Sequence, residues 1–258
     1  MNTEYKNTPD NPFTNDGAGY ALSRPTYPGT LVQALSKHCT EHKVAVDIGC
    51  GTGQLSSLLA EAFEHVIALD SSLSQLNHAT QCHNIIYKQA FADDTGLEDQ
   101  YADLITVAQA AHWFDLDRFY KEAQRIAKPN STLAIISYGV PLLEDGEVAQ
   151  RFEQFYWQDI HRFWPKERRH VEDNYLSLSF PFTELPFPNL KIERHWSFKD
   201  LAGYIATWSA MKKASSAGAE QAMLAALGEI EAIWGGSEVK RLISWPINCK
   251  VAQLNPKD

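Results

Sequence analysis

The stretch Val44-Ala-Val-Asp-Ile-Gly-Cys-Gly-Thr-Gly53 decides how this chain reads. A short β-branched run carries an acid near its end, and glycines follow at alternate positions 49, 51 and 53. The next residues, Leu55–Phe63, have helical periodicity. Strand, tight loop and helix in that order make a cradle: glycines let a ligand approach the backbone, and the helix start offers free N–H groups. The loop predicts a nucleotide-like small-molecule ligand.

Outward from the loop, strands and helices alternate. Thr30–Cys39 reads as a helix, Lys43–Ile48 as a strand and Val66–Leu69 as a second strand ending in Asp70. Ser72–Gln81 reads as a helix with Ser72 as its cap, and Asn84–Lys88 and Leu104–Val107 read as strands. Leu116–Ala127 is a helix stopped by Pro129, and Leu133–Ser137 is a fifth strand. Such alternation predicts a parallel sheet covered on both faces, with its ligand at the carboxyl ends of the strands. The loop, Asp70 and Gln109 all fall at such ends.

Beyond Gly139 the composition changes. Gly146–Lys166 is helical and very aromatic, holding Phe152, Phe155, Tyr156, Trp157, Phe163 and Trp164. Phe180–Pro188 reads as an irregular loop, Phe198–Lys213 and Ala219–Trp234 as helices, and Val239–Leu254 as a terminal strand or hairpin arm. The C-terminal half therefore supplies the last strands and a helical insert over the site. The aromatics of 152–164, like Tyr204 and Trp208, read first as core packing, and the Lys166–Arg169 run as a solvated face.

Bulk properties narrow the function. The chain has 258 residues, 44% hydrophobic and 21% charged, and a net charge of −9. No basic stripe suits a nucleic acid, so none is expected as substrate. Four cysteines, Cys39, Cys50, Cys82 and Cys249, are scattered without a CxxC pair. They read as reduced thiols, and no metal site is expected. Met1–Thr14 is polar, and no apolar run approaches the ~20 residues of a membrane span. The expectation is a cytoplasmic protein, monomer or homodimer, with no membrane partner.

The loop also discriminates between cofactors. A dinucleotide fingerprint, G-x-G-x-x-G, needs its third glycine where Gln54 stands. Asp47 beside the loop would repel a pyrophosphate but suit an ammonium group. Asp70 can accept both hydroxyls of a ribose. A ligand with a ribose, an adenine and an amino-acid tail is S-adenosylmethionine.

Val44–Gly53 resembles motif I of the class I S-adenosylmethionine-dependent methyltransferases. Ile67-Ala-Leu-Asp-Ser-Ser72 is similar to their second-strand motif, and Ala102-Asp-Leu-Ile-Thr-Val-Ala-Gln109 to their fourth strand. Ile126-Ala-Lys-Pro-Asn-Ser-Thr-Leu133 resembles their turn into strand five, with Asn130 and Ser131 in place of glycines. The segments around Tyr20-x-x-x-Arg24-Pro25, Gln109-Ala-Ala-His-Trp-Phe-Asp115 and Leu201-x-Gly-Tyr-x-x-Thr-Trp-Ser209 are similar to the type-11 branch, which includes trans-aconitate-methyltransferase-like proteins.

The resemblance implies a single α/β domain with a Rossmann-like, doubly wound, mostly parallel seven-stranded sheet, its last strand antiparallel, plus a helical lid insertion. Within it, 1–40 would be an N-terminal arm and helix, 41–139 the cofactor core, 140–195 the aromatic lid, and 196–258 the C-terminal helices and final strands. It also implies roles. Asp47, Gly49, Gly51, Thr52, Gly53 and Gln54 would hold the methionine end, Asp70 the ribose, and Ser71 the adenine edge. Phe91 and Ala92 would meet the adenine by stacking and backbone N–H, Phe91 replacing an acid. Gln109 would lie near the methyl, and Tyr20 and Arg24 would close over the cofactor.

Methyl transfer needs alignment and exclusion of water, and a base only where the acceptor starts protonated. His112 is the candidate catalytic group, against the alternative that it only packs under the lid. The acceptor implied is a small molecule, and the branch suggests a carboxylic acid. Two other readings stand beside this one: an NAD(P)-dependent oxidoreductase, disfavoured by Asp47 and Gln54, and a catalytically silent cofactor-binding protein.

Overall fold

A computed structural model describes residues 24–144 and 146–255. After helix α1 (Gly29–Ser36), strand β1 (Val44–Ile48) leads through the glycine loop into α2 (Gln54–Leu59). Then come β2 (His65–Asp70), α3 (Leu73–Leu76), β3 (Ile85–Gln89), β4 (Ala102–Ala108), α4 (Leu116–Ile126) and β5 (Ala127–Tyr138). The sheet runs β3-β2-β1-β4-β5 in parallel. It is completed by the antiparallel β8 (Arg241–Leu254), which pairs with β5, with the two-residue β6 (Leu142–Leu143) and with β7 (Leu190–Trp196). The sheet thus has eight strands where seven are expected.

Strand alternation sorts the core into two layers. Ala45, Val66, Ala68, Leu104, Ala134 and Ile136 face the layer that holds α1, α2 and the C-terminal helices. Their neighbours Val46, Ile67, Leu69, Ile105, Leu133 and Ile135 face α4. This period of two is what buries both faces of a parallel sheet. Strand order reverses between β1 and β4, the switch point where such sheets open a crevice. Asp47 and Thr106 share the α2-facing side of that point and are cross-strand partners. At the opposite end of the sheet, buried Asp103 accepts the Lys43 and Val44 N–H groups and pairs with Lys128 at 2.7 Å. Asn130 takes a left-handed φ of 62°, which explains how asparagine replaces a glycine in the turn within β5.

Ser72 caps α3 as expected, its side chain accepting from the Gln75 N–H, but the helix ends at Leu76 instead of Gln81. The aromatic stretch forms α5 (Gly146–Gln154), a π-helical turn (Phe155–Ile160) and a 3-10 turn (His161–Phe163), followed by α6 (Arg168–Glu172). The expected 198–213 helix divides at Trp208 into α7 (Phe198–Ala206) and α8 (Ser209–Ser216), because Trp208 takes extended backbone (ψ 137°) and is buried. Helix α9 (Glu220–Trp234) follows. β7 has no counterpart among the expected strands. It pairs only with β8 and buries Ile192 alone, so its sequence carries little alternation. No helix of the described residues is long and apolar enough to cross a membrane.

Candidate active site

The glycine loop joins β1 to α2 at the switch point. All three glycines have positive φ, where a side chain would be strained. A Cβ on Gly49 would lie 2.6 Å from the Ala110 Cβ, and one on Gly53 would collide with the Tyr87 hydroxyl. Two of the glycines are thus demanded by the protein's own packing. Gly51 has open space: the nearest atom to a Cβ there is Gln75 Oε1 at 3.9 Å. Beside it, Thr52 Oγ1 and Gln54 Nε2 are buried without a hydrogen-bond partner among the described residues.

Asp47 is only 1% exposed. Its carboxylate accepts the Ser56 hydroxyl at 2.6 Å and the Thr106 hydroxyl at 2.8 Å. Burial pushes its pKa up to about 6 against the pull of those two donors. It ties β1 to α2 and β4 beneath the loop. Asp70, at the end of β2, accepts the Gly51 N–H and the Ser72 N–H, both at 2.8 Å. Burial raises its pKa too, partly offset by the same two amides.

The other expected residues are spread around this centre. Ser71 and Phe91 are exposed, Phe91 by 57%, and Phe91 forms a β-bridge with Asp94 next to Ala92. Gln109 closes β4 with a left-handed φ of 57° and donates its side-chain N–H to the Tyr138 carbonyl at 2.9 Å. Arg24 donates to the Tyr138 hydroxyl at 3.1 Å and lies over the Tyr204 ring at 5.7 Å. The Tyr20 position lies outside the described residues.

His112 sits in a 3-10 turn (Ala111–Trp113) just past β4. Its Nδ1 shares a hydrogen bond of 2.7 Å with the buried Tyr175 hydroxyl. Asn174 and Tyr175 both have left-handed φ, 61° and 60°, a costly pair for residues other than glycine. Asn248 holds Asn174 through a side-chain hydrogen bond of 2.9 Å, and the Tyr175 N–H donates to the His170 carbonyl. Sequence reasoning had no signal for Tyr175, since only the fold brings it to His112. Tyr138, the last residue of β5, was within reach of the strand-end rule.

Burial, then the positive charges of Arg168 and His170, lower the His112 pKa from 6.5 to about 3. The imidazole is therefore neutral at physiological pH. Below pH 6.5 the unfolded chain takes up a proton that the folded chain refuses until about pH 3. The stability kept by neutral His112 is whole above 6.5 and declines as pH falls towards 3. We expect His112→Gln to flatten this loss by roughly 1 kcal/mol per pH unit below 6.5. Urea unfolding of both proteins near neutrality and in mild acid checks this, and parallel pH slopes would refute it.

The helices of the C-terminal half pack ring on ring. Trp208 meets Tyr204 at 5.5 Å, Tyr156 at 5.7 Å and Trp164 at 5.3 Å. Arg168, expected on a solvated face, is half-buried and stacked over Trp164 at 4.4 Å. The indole gives its guanidinium a better resting surface than open solvent.

Known proteins resemble this chain in sequence and fold. A family described as a methyltransferase domain matches residues 46–135. A Dictyostelium discoideum protein named as a methyltransferase is 34% identical over 203 residues, which is 78% of this chain and 77% of that protein. The chain belongs to the class I S-adenosylmethionine-dependent methyltransferases. A solved structure from Anaeromyxobacter dehalogenans, described as a type II methyltransferase, superposes on this methyltransferase with a TM-score of 0.83 at 39% identity, covering 91% of this chain and 99% of that one. A Saccharomyces cerevisiae protein named as an S-adenosylmethionine-dependent methyltransferase is 31% identical over 139 residues, about half of each chain (50% and 48%). The cofactor of this methyltransferase is S-adenosylmethionine. The open face at Gly51, the unpartnered Thr52 hydroxyl and Gln54 amide, and the acids at both strand ends suit its amino-acid tail and ribose.

Proposed function

We propose that this methyltransferase acts on a small carboxylic acid by in-line transfer beneath the aromatic lid. The observation that carries this reading is the set of donors near the strand ends, where Arg24 donates to the Tyr138 hydroxyl and lies over the Tyr204 ring, and His112 shares a hydrogen bond with Tyr175. S-adenosylmethionine supplies the electrophilic methyl when bound. Gly49, Gly51, Thr52 and Gly53 hold its methionine end, and Gln54 contributes its free amide. Asp47 draws the ammonium from below, since its oxygens already accept from Ser56 and Thr106. Asp70 keeps lone pairs for the ribose hydroxyls. Ser71, Phe91 and Ala92 border the adenine, with exposed Phe91 offering a stacking face.

Gln109 and Arg24 stand at the methyl end. The rings exclude water, and the donors orient the acceptor. A carboxylate arrives already deprotonated, so no proton has to be removed. Neutral His112, its ring fixed by Tyr175, then orients the acceptor and adds no opposing charge. Resemblance to the trans-aconitate-methyltransferase-like branch supports the same acceptor class.

Incubation with methyl-labelled cofactor and panels of carboxylic acids, amines, phenols and thiols tests this. The expected product is a base-labile methyl ester that releases labelled methanol. Base-stable label on an amine, phenol or thiol alone would overturn the carboxylate assignment.

A further inference from the structure

His112 and Tyr175 share a single hydrogen bond of 2.7 Å, and its surroundings decide which group donates. Tyr175 is 1% exposed, so bulk water does not serve its hydroxyl. Among the described residues His112 Nδ1 is the only partner that hydroxyl has. Were Nδ1 the protonated nitrogen, the imidazole would donate, and the phenol hydrogen would be buried with no acceptor. Buried donors are rarely left so. With the phenol donating, Nδ1 accepts through its lone pair, and the proton of the neutral ring sits on Nε2. Burial, with Arg168 and His170 on α6, lowers the His112 pKa to about 3, so the ring protonated on both nitrogens is not the form present near neutrality.

Tyr175 reaches this position at a conformational cost. Asn174 and Tyr175 both take left-handed backbone, which residues other than glycine rarely do. Three hydrogen bonds hold the bend: Asn248 donates to the Asn174 side-chain oxygen, the Tyr175 N–H to the His170 carbonyl, and the Leu178 N–H to the Tyr175 carbonyl. The bend delivers the hydroxyl to a ring 63 residues earlier in the chain. Phenylalanine would fill the same core space with no hydroxyl to satisfy.

Nε2 stands on the other side of the imidazole. It has no partner among the described residues, and it is not one of the buried polar atoms sealed from outside. The 3-10 turn that carries it follows β4, at the carboxyl end where such sheets take their ligands. Nε2 therefore offers one N–H and no lone pair, and a nitrogen of that kind cannot take a proton from an acceptor.

We infer that Tyr175 is a positioning residue that sets the His112 tautomer, and that His112 meets the acceptor as an Nε2–H hydrogen-bond donor and not as a base. This rests on the reading of His112 as an acceptor-site residue. It makes the site selective for acceptors whose nucleophilic atom already has a free lone pair, and it closes the base-assisted route through His112.

Long-range proton–nitrogen NMR of the protein saturated with S-adenosylhomocysteine tests the tautomer without any acceptor, His112 being assigned by the loss of its signals in His112→Gln. The expected spectrum near neutrality has Nε2 protonated and Nδ1 bare but hydrogen-bonded. In Tyr175→Phe the Nδ1 resonance should shift to the position of a nitrogen with no donor, a change that a tyrosine serving only to pack would not produce. A protonated Nδ1 in wild type, or an unmoved Nδ1 resonance in Tyr175→Phe, would overturn the assignment, and the wild-type spectrum decides alone if that variant does not fold. The donor role is read from turnover. Glutamine places an N–H where Nε2 stands yet cannot act as a base, and leucine fills the space without a donor. His112→Gln is expected to transfer labelled methyl to the carboxylic-acid panel about tenfold faster than His112→Leu. Equal rates in the two variants would remove the donor role. The proposed function fails separately: label on an amine, phenol or thiol alone would sink the carboxylate reading and leave the tautomer as measured.

Discussion

Asp70→Ala is expected to weaken S-adenosylhomocysteine binding by about 1–3 kcal/mol, the range for losing charge-assisted hydrogen bonds. Two effects add. The contact proposed between the carboxylate and the ribose is removed, and the Gly51 and Ser72 amides lose their shared acceptor. The second effect loosens the loop before any ligand arrives, so part of the loss is ordering cost. Asp70→Asn separates them: one amide oxygen can still accept from a loop N–H, so the loop should stay better ordered than in the alanine variant. Calorimetric titration of both variants measures this. Wild-type affinity in Asp70→Ala would remove Asp70 from the cofactor site.

Trp208→Ala is expected to cost about 3–5 kcal/mol of stability, as for large aromatic residues truncated in a core. Trp208 is 2% exposed and touches the rings of Phe155, Tyr156, Trp164 and Tyr204. Its loss leaves a cavity that this rigid group of rings cannot close. Because these rings carry Arg168 and Arg24, acceptor binding should weaken along with stability, while the glycine loop below keeps its own packing. Denaturant midpoints and cofactor affinity, measured together, distinguish this from general unfolding. A midpoint shift below about 1 kcal/mol would show that the lid does not depend on Trp208.

The core of the fold was legible because its signals are local. Val44–Gly53 joins a β-branched run to a glycine cradle, and both can be recognised without knowing what packs against them. The same holds for Asp70, placed by the end of a strand, and for Ser72, placed by its cap. Illegible features depended on distant partners. Arg168 sits in a charged run that looks solvated until Trp164 is placed beneath it. Tyr175 reaches His112 across 63 residues through a backbone conformation that tyrosine rarely takes. β7 is a polar edge strand whose only partner, β8, lies beyond three helices. Asp47 lies buried beneath the loop, where its oxygens serve Ser56 and Thr106. A strand-end position reveals where a carboxylate stands but not which donors reach it first.

The long strand β8 has a consequence for the order of synthesis. β5 pairs on one side with β4, which precedes it closely, and on the other with β8, made about 120 residues later. While the ribosome produces the lid and α7–α9, the outer edge of β5 has no native partner. An apolar strand edge left open that long invites pairing with another chain. The methyl-donor half of this enzyme can thus take shape early on its β1–β4 side, but its exposed flank is sealed only when β8 emerges.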